Sequence, residues 1–144
     1  MRLTALLGLT IAALSLPALA EPTFIERLEG GAASCSLVGG TTGLDAFLAR
    51  RDFGESSKKY KALVEKSFRE SKDCVDNGKP KMKPYVKDEI AKNPELKPAI
   101  TRAYAAWLGY MDWLSTPREF GEESRERATY ESAINQLRAE IDTM

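Results

Sequence analysis

Apolar side chains recur at helical spacing most clearly over residues 96–114. At about 100° per residue, the large ones fall on a single arc roughly 120° wide. They are Leu96, Ile100, Tyr104, Trp107, Leu108, Met111 and Leu114. Alanines and Tyr110 flank this arc, which leaves only a narrow outward strip that includes Asp112. Because a helix this apolar needs neighbours on several sides, we predict a central helix, residues 95–115, with the other helices arranged around it.

Capping signals and similar spacing predict further helices before this one. Thr42, with an acidic residue three positions later, predicts a short helix over residues 44–51. Apolar residues three and four apart predict a longer helix over residues 58–76, and Asn77-Gly78 predicts its end. Residues 78–84 then form a basic linker that contains two prolines, and a short helix follows at residues 85–92.

The sharpest local signal is Thr116-Pro117-Arg118-Glu119. A threonine, a proline directly after it and an acidic residue three positions on are the pattern of a capping box with proline at the first helical position. It predicts that the last helix begins immediately after the central one and runs to about residue 142. Since no strand signal is convincing, the predicted fold class is all-α, an irregular bundle of four to five helices.

Residues 30–43 contain five glycines and Cys35. That composition is typical of a loop or a short extended piece, so we predict an N-terminal strap there. The second cysteine, Cys74, falls on the inward stripe in the last turn of helix 58–76. In an oxidising compartment such a pair most simply forms a disulfide, which would tie the strap to that helix end. Two free thiols, one of them catalytic, are the alternative.

The first twenty residues have the pattern of a secretory signal peptide. Arg2 is followed by an apolar run over residues 3–16, and Ala18-Leu19-Ala20 is a small-residue cleavage site. The apolar run is too short to span a membrane as a helix. We therefore predict cleavage after Ala20, export to the periplasm, and one helical domain over residues 21–144 with no membrane insertion.

Charge is balanced overall but unevenly distributed along the chain. The whole sequence has 21 basic and 21 acidic residues. Residues 50–92 carry 13 basic and 8 acidic side chains, a net charge of +5, whereas residues 21–49 and 93–144 each carry a net charge of −3. Nucleic-acid-binding domains usually show strong overall basicity, so this composition argues against a nucleic-acid partner.

The residue types that carry most enzyme chemistry are scarce. The chain has no histidine, which removes the usual general base near neutral pH and the commonest zinc ligand. Two adjacent acidic pairs, Asp88-Glu89 and Glu122-Glu123, do occur, but neighbouring positions on a helix do not converge on one atom. We therefore predict no catalytic residues, no metal site and no cofactor.

Two features indicate a surface for a protein partner. Four lysines and a tyrosine concentrate in and just after the predicted linker: Lys79, Lys81, Lys83, Tyr85 and Lys87. A solvated loop is the simpler interpretation of this basic segment, and the functional one is contact with an acidic protein partner or with anionic envelope components. Trp113 lies away from the main apolar arc of the central helix, so it either meets a second helix or anchors a partner.

These observations leave three classes of function. A protein-binding module of the bacterial cell envelope fits best, an envelope structural or stress-adaptation protein with no single tight partner comes second, and an enzyme that uses only carboxylates, tyrosine and lysine comes last. With its signal peptide, compact helical domain and cysteine pair, the chain resembles the small helical periplasmic immunity proteins of type VI secreted amidase effectors. That resemblance implies an inhibitor of a cell-wall-degrading enzyme, and possible homodimers.

Overall fold

The computed structural model describes residues 21–144, and the predicted signal peptide lies outside the described residues. The described chain forms four α-helices: α1 (Phe24–Phe53), α2 (Lys58–Lys92), α3 (Lys97–Leu114) and α4 (Arg125–Asp142). A short 3-10 helix, Pro94–Leu96, precedes α3. Residues 21–144 contain no strand, so the all-α fold class is confirmed. None of the described helices is long and apolar enough to cross a membrane.

Helix α3 packs against each of the other three α-helices. Its bounds agree with the predicted helix 95–115, and Ile100, Trp107 and Met111 on the predicted arc are fully buried. The buried indole of Trp107 donates a hydrogen bond to the carbonyl oxygen of Leu28 on α1, at 2.9 Å. This bond ties the centre of the core to the first helix.

The predicted strap and the separate helix 44–51 are wrong, because residues 24–53 form one continuous helix. Its buried face follows intervals of three and four throughout and consists largely of small residues: Leu28, Ala32, Cys35, Gly39, Thr42, Ala46 and Ala49. A methyl group at Gly39 would lie 1.6 Å from the Ser71 Oγ, so this glycine permits close packing against α2 rather than a turn. Helical packing therefore outweighs the low helix propensity of glycine.

The predicted break over residues 78–84 is also wrong, since α2 continues through Pro80 and Pro84. Val75, Met82 and Val86 extend one buried stripe across the prolines, and Gly78 faces the methyl group of Met111 on α3. A proline inside a helix costs about 3 kcal/mol or more. Burial of this stripe keeps the helix intact, while both prolines remain on the exposed side.

The capping box at Thr116 does not start a helix. Its hydroxyl instead donates to the carbonyl oxygen of Trp113 at 2.7 Å and so closes the end of α3. Residues 115–124 form a loop in which Gly121 has a φ of 82°, a conformation that favours glycine. Helix α4 begins after Ser124, whose hydroxyl accepts a hydrogen bond from the Arg127 backbone N–H at 2.9 Å. The last helix is thus eight residues shorter at its start than the capping box predicted.

The predicted disulfide is confirmed, with Cys35 Sγ and Cys74 Sγ 2.03 Å apart. It joins two helices, α1 and α2, rather than a strap and a helix end. Both cysteines lie about halfway along their helices, where the small faces already bring the backbones together.

Candidate functional site

A concavity lies where α1, α2 and the loop over residues 115–124 meet. This cleft has a volume of about 340 Å³. Its walls are Gly43, Ala46, Phe47 and Arg50 from α1, Tyr60, Val64, Ser67 and Phe68 from α2, and Thr116, Pro117, Arg118, Glu119, Phe120 and Glu122 from the loop. Because no helix starts at Thr116, residues 115–124 remain a loop, and this loop forms one side of the cleft.

Two aromatic side chains form the rim of the cleft. Phe47 is 43% exposed and Phe120 is 48% exposed, and their ring centroids lie 6.2 Å apart. Phe47 comes from α1 and Phe120 from the loop, so the pair spans the mouth. Exposed aromatic rings beside a concave surface are characteristic of sites that take an apolar group from a partner.

Arg118 is the main cationic group on the loop side. It stacks over the Trp113 ring, 4.9 Å from the ring centre, and its guanidinium donates hydrogen bonds to the Leu114 carbonyl oxygen and, at 3.5 Å, to the Ser71 Oγ. Burial lowers the pKa of Arg118 from its ordinary value. These contacts hold the loop against both α3 and α2.

Arg50 closes the opposite side of the cleft. Its guanidinium lies 3.4 Å from a Glu119 carboxylate oxygen and 3.7 Å from one of Glu55, and it also sits above the Phe47 ring. Arg50 and Glu119 thus pair with each other at the cleft, and Arg118 is held by carbonyl and hydroxyl oxygens. Phe47, Val64, Phe68 and Phe120 give the cleft an apolar wall, which suits recognition of an apolar side chain more than acid–base chemistry.

The α1–α2 interface next to the cleft contains hydrogen-bonded polar side chains, of which Ser67 also lines the cleft. The Thr42 hydroxyl donates to a Glu70 carboxylate oxygen at 2.5 Å, and the Ser67 hydroxyl donates to the Gly39 carbonyl oxygen at 2.7 Å. These bonds explain how threonine and serine can occupy an inter-helix face. They also fix the relative position of the two helices that carry most of the cleft.

The structure places the sequence-predicted partner residues on a different surface. Lys81, Lys83 and Lys87 lie exposed along α2, and Lys79 forms an ion pair with Asp112 on α3. Tyr85 is 40% exposed, with the Arg27 guanidinium 4.2 Å from its ring centre. Lys79, Lys83 and Lys87 follow intervals of four along one side of α2, which we call the basic edge, whereas Lys81 lies about 160° round the helix from Lys83. These lysines are on a helix rather than a flexible linker, and Lys79 is already neutralised by Asp112.

Trp113 lies on a different surface from the basic edge. It is half-buried, stacks on Tyr110 with 5.9 Å between ring centres, and is covered by Arg118. It lines a second concavity of about 260 Å³ next to the cleft, and none of the sequence-predicted lysines lines that concavity. Neighbouring parts of its own chain thus cover most of the Trp113 side chain, which favours contact with another element over the role of an anchor for a partner.

Sequence reasoning missed the cleft because it assigned residues 117–124 to a helix and residues 30–43 to a strap. Gly121 followed by Ser124 was the signal that could have shifted the start of the last helix. No group of three or more potential metal-ligating side chains occurs within the described residues. No family model, no curated protein and no solved structure matches this chain.

Proposed function

We propose that this protein is a non-enzymatic, exported protein-binding module that inhibits a secreted cell-wall-degrading enzyme in the periplasm. The observation that carries the proposal is the cleft with its exposed Phe47–Phe120 rim. A partner would insert an apolar side chain between α1, α2 and the loop, where the Phe47 and Phe120 rings would shield it from water.

The architecture supports this role in a second way. The cleft walls are fixed by the Cys35–Cys74 disulfide, by the hydrogen bond from Ser67 to the Gly39 carbonyl oxygen, and by the contacts of Arg118. A preorganised site loses little conformational entropy on binding, which favours tight association. An inhibitor that must survive in the envelope benefits from the same cross-link.

The basic edge, with Lys83 and Lys87 as its exposed lysines, is the second candidate surface. Its lysines lie within the segment of net charge +5, so it would steer an acidic partner at low ionic strength. An envelope structural or stress-adaptation protein with no single tight partner is the alternative function.

One experiment compares the two surfaces. Tagged protein purified from the periplasm is used to capture partners from periplasmic extract and from the products of neighbouring genes, and the bound proteins are identified by mass spectrometry. We expect one stoichiometric cell-wall hydrolase whose activity falls on binding. The double variant Phe47→Ala, Phe120→Ala should weaken that complex by roughly 30-fold or more.

The matched control is Lys83→Glu with Lys87→Glu, which changes the basic edge and leaves the cleft intact. If only this variant loses the partner, and the effect disappears at high salt, the basic edge is the binding site and the cleft is not. If no stoichiometric partner is captured by the wild-type protein, the inhibitor proposal is wrong and the structural role takes its place.

A further inference from the structure

Arg118 differs from the other partly buried cations of the protein. Within residues 21–144, the lysine and arginine side chains that are partly buried are Arg27, Arg50, Lys79 and Arg118. The first three each form an ion pair with a carboxylate. Arg118 forms none with any described residue. Since a cation removed from water is costly unless it is paired, this exception requires an explanation.

Neutral groups hold the Arg118 guanidinium instead of a carboxylate. It donates hydrogen bonds to the Leu114 carbonyl oxygen and, at 3.5 Å, to the Ser71 Oγ, and it stacks over the Trp113 ring. Glu122 attracts it only from beyond ion-pair distance, and burial lowers its pKa. These contacts leave other N–H donors of the guanidinium without an acceptor among the described residues. Because a charge-assisted hydrogen bond is roughly twice as strong as a neutral one, a carboxylate is the acceptor that suits them best.

The position of Arg118 places such an acceptor beside an apolar wall. Arg118 lines both the cleft of about 340 Å³ and the neighbouring concavity of about 260 Å³, so it lies where the two meet. Phe47, Phe68 and Phe120 line the same cleft. Its volume is near the lower end of the range for small-ligand sites, about 300–1,000 Å³. An apolar group in the cleft and an acceptor for Arg118 must therefore belong to one small unit.

The two acidic residues of the cleft are already engaged. Glu119 pairs with Arg50 at 3.4 Å, and the Glu122 carboxylate accepts a hydrogen bond from the Glu119 backbone N–H at 3.2 Å. With Arg50 and Arg118, the charges of the lining side chains sum to zero. Recognition of a carboxylate here depends on direct contact with the unpaired guanidinium and not on a net positive field.

We propose that the cleft binds the carboxyl-terminal residue of a polypeptide, with its apolar side chain against the aromatic rim and its terminal carboxylate on Arg118. A terminal residue carries both groups on one Cα atom, which matches their closeness in the cleft. The planar guanidinium can bind both carboxylate oxygens at once. This inference rests on the proposed function, because it identifies the part of the captured hydrolase that enters the cleft.

The test compares three peptides by NMR titration of the purified protein, produced from the full chain. They are acetyl-Ala-Ala-Phe with a free carboxylate, the same peptide with a carboxamide end, and acetyl-Ala-Asp-Phe with a carboxamide end. The free acid should bind roughly 10-fold more tightly than its carboxamide. The third peptide has an acidic side chain but no terminal carboxylate, and it should bind no better than the second.

The variant Arg118→Gln should bind the free acid and the carboxamide equally. The matched control is Arg127→Gln, since Arg127 lines the neighbouring concavity and is paired with Glu131, and it should retain the preference for the free acid. Thermal denaturation checks that both variants are folded. If Arg118→Gln is not, the Arg118 Nε–H resonance of the wild-type protein decides: it should shift with the free acid and not with its carboxamide.

Four results would overturn the proposal: no binding of the free acid up to millimolar concentration, equal affinity for the acid and its carboxamide, a preference that does not depend on Arg118, or tightest binding of the peptide with the internal acid. The peptides also separate this inference from the inhibitor role. A protein that captures a hydrolase but does not distinguish the peptides would lose carboxylate recognition alone. A protein that prefers the free acid but captures no hydrolase would lose the inhibitor role alone.

Discussion

The α1–α2 pair and the α3–α4 pair are both antiparallel, but they are held together differently. In the first pair small residues face each other, Gly39 lies against Ser71, and hydroxyl groups bridge the helices beside the disulfide. In the second pair large side chains make the interface, with Tyr110 stacked on Tyr130 at 5.6 Å between ring centres and Leu137 almost fully buried. The first interface depends on close approach of the backbones, and the second on buried apolar volume.

This difference predicts opposite responses to changes of side-chain size. The α1–α2 interface should tolerate no enlargement, because its helices already touch. The α3–α4 interface should be most sensitive to truncation, because a cavity would replace buried apolar contacts.

Leu137→Ala should have the largest effect. The side chain is 1% exposed on the face of α4 that belongs to the core, and its truncation should lower the free energy of unfolding by about 2–5 kcal/mol. Urea denaturation followed by circular dichroism measures the change. Ile141→Ala, one turn further along α4 at a residue that is 41% exposed, is the control and should cost much less. Equal losses of unfolding free energy for the two variants would show that buried apolar volume does not stabilise the α3–α4 interface.

Gly39→Ala should destabilise the protein although alanine is the better helix former. The added methyl group would clash with the Ser71 Oγ and lie 3.3 Å from the Ser67 carbonyl oxygen, so the helices must separate. We expect a loss of about 1–3 kcal/mol, as for an overpacked core. Gly109→Ala, on α3 with open space around it, should instead stabilise by about 1 kcal/mol. The same denaturation experiment on both variants decides the point, and a gain in stability for Gly39→Ala would refute close packing as the reason for this glycine.

The contrast between the two interfaces also explains which parts of the fold could be predicted from the sequence. The arc of large residues on α3 was predictable, because apolar side chains at helical spacing report burial directly. On α4 the same spacing fits Tyr130, Ala133, Ile134 and Leu137, which are buried, but it also includes Ile141, which is 41% exposed. The disulfide followed from the export signal and the even number of cysteines.

The small-residue face of α1 was missed because glycine and alanine contribute little to a hydrophobic pattern. From the sequence alone Gly39 indicates a loop, because the contact with Ser71 that requires a glycine there exists only in the folded protein. The proline-bearing part of α2 was missed for a related reason, since its stability comes from packing on α3 and not from its local sequence.

The candidate site depended on two errors, the strap predicted in place of α1 and the helix start predicted at Thr116, and so could not be predicted. Phe47 falls within the predicted helix 44–51 and Phe120 within the predicted last helix, yet in the structure both are exposed and meet at the cleft. Two residues 73 positions apart come together only after α1 and the loop are correctly built. The lysines of the basic edge could be identified from charge alone, but not their placement on a rigid helix.

The smallest change in stability that we expect concerns the N-terminal caps of α1 and α4, one helix from each pair. At α1 the Thr23 hydroxyl accepts from the Glu26 backbone N–H at 3.2 Å, and the Glu26 carboxylate accepts from the Thr23 backbone N–H at 2.7 Å. At α4 Ser124 accepts from Arg127 without an acidic residue to return the bond. Only the first cap contains a group that can titrate in mild acid.

Hydrogen bonds from the Thr23 backbone N–H and then from its hydroxyl lower the pKa of Glu26 below its ordinary value of 4.5. A group whose pKa is lowered by folding stabilises the native state above its unfolded pKa and loses that contribution as the pH falls through the folded value. Glu26→Gln should therefore destabilise the protein at pH 7 but have little effect near pH 3, by thermal denaturation at both pH values. Ser124→Ala is the control and should cost about 1 kcal/mol at either pH, because its cap contains no titrating side chain. A pH-independent effect of Glu26→Gln would show that the carboxylate does not act through its charge.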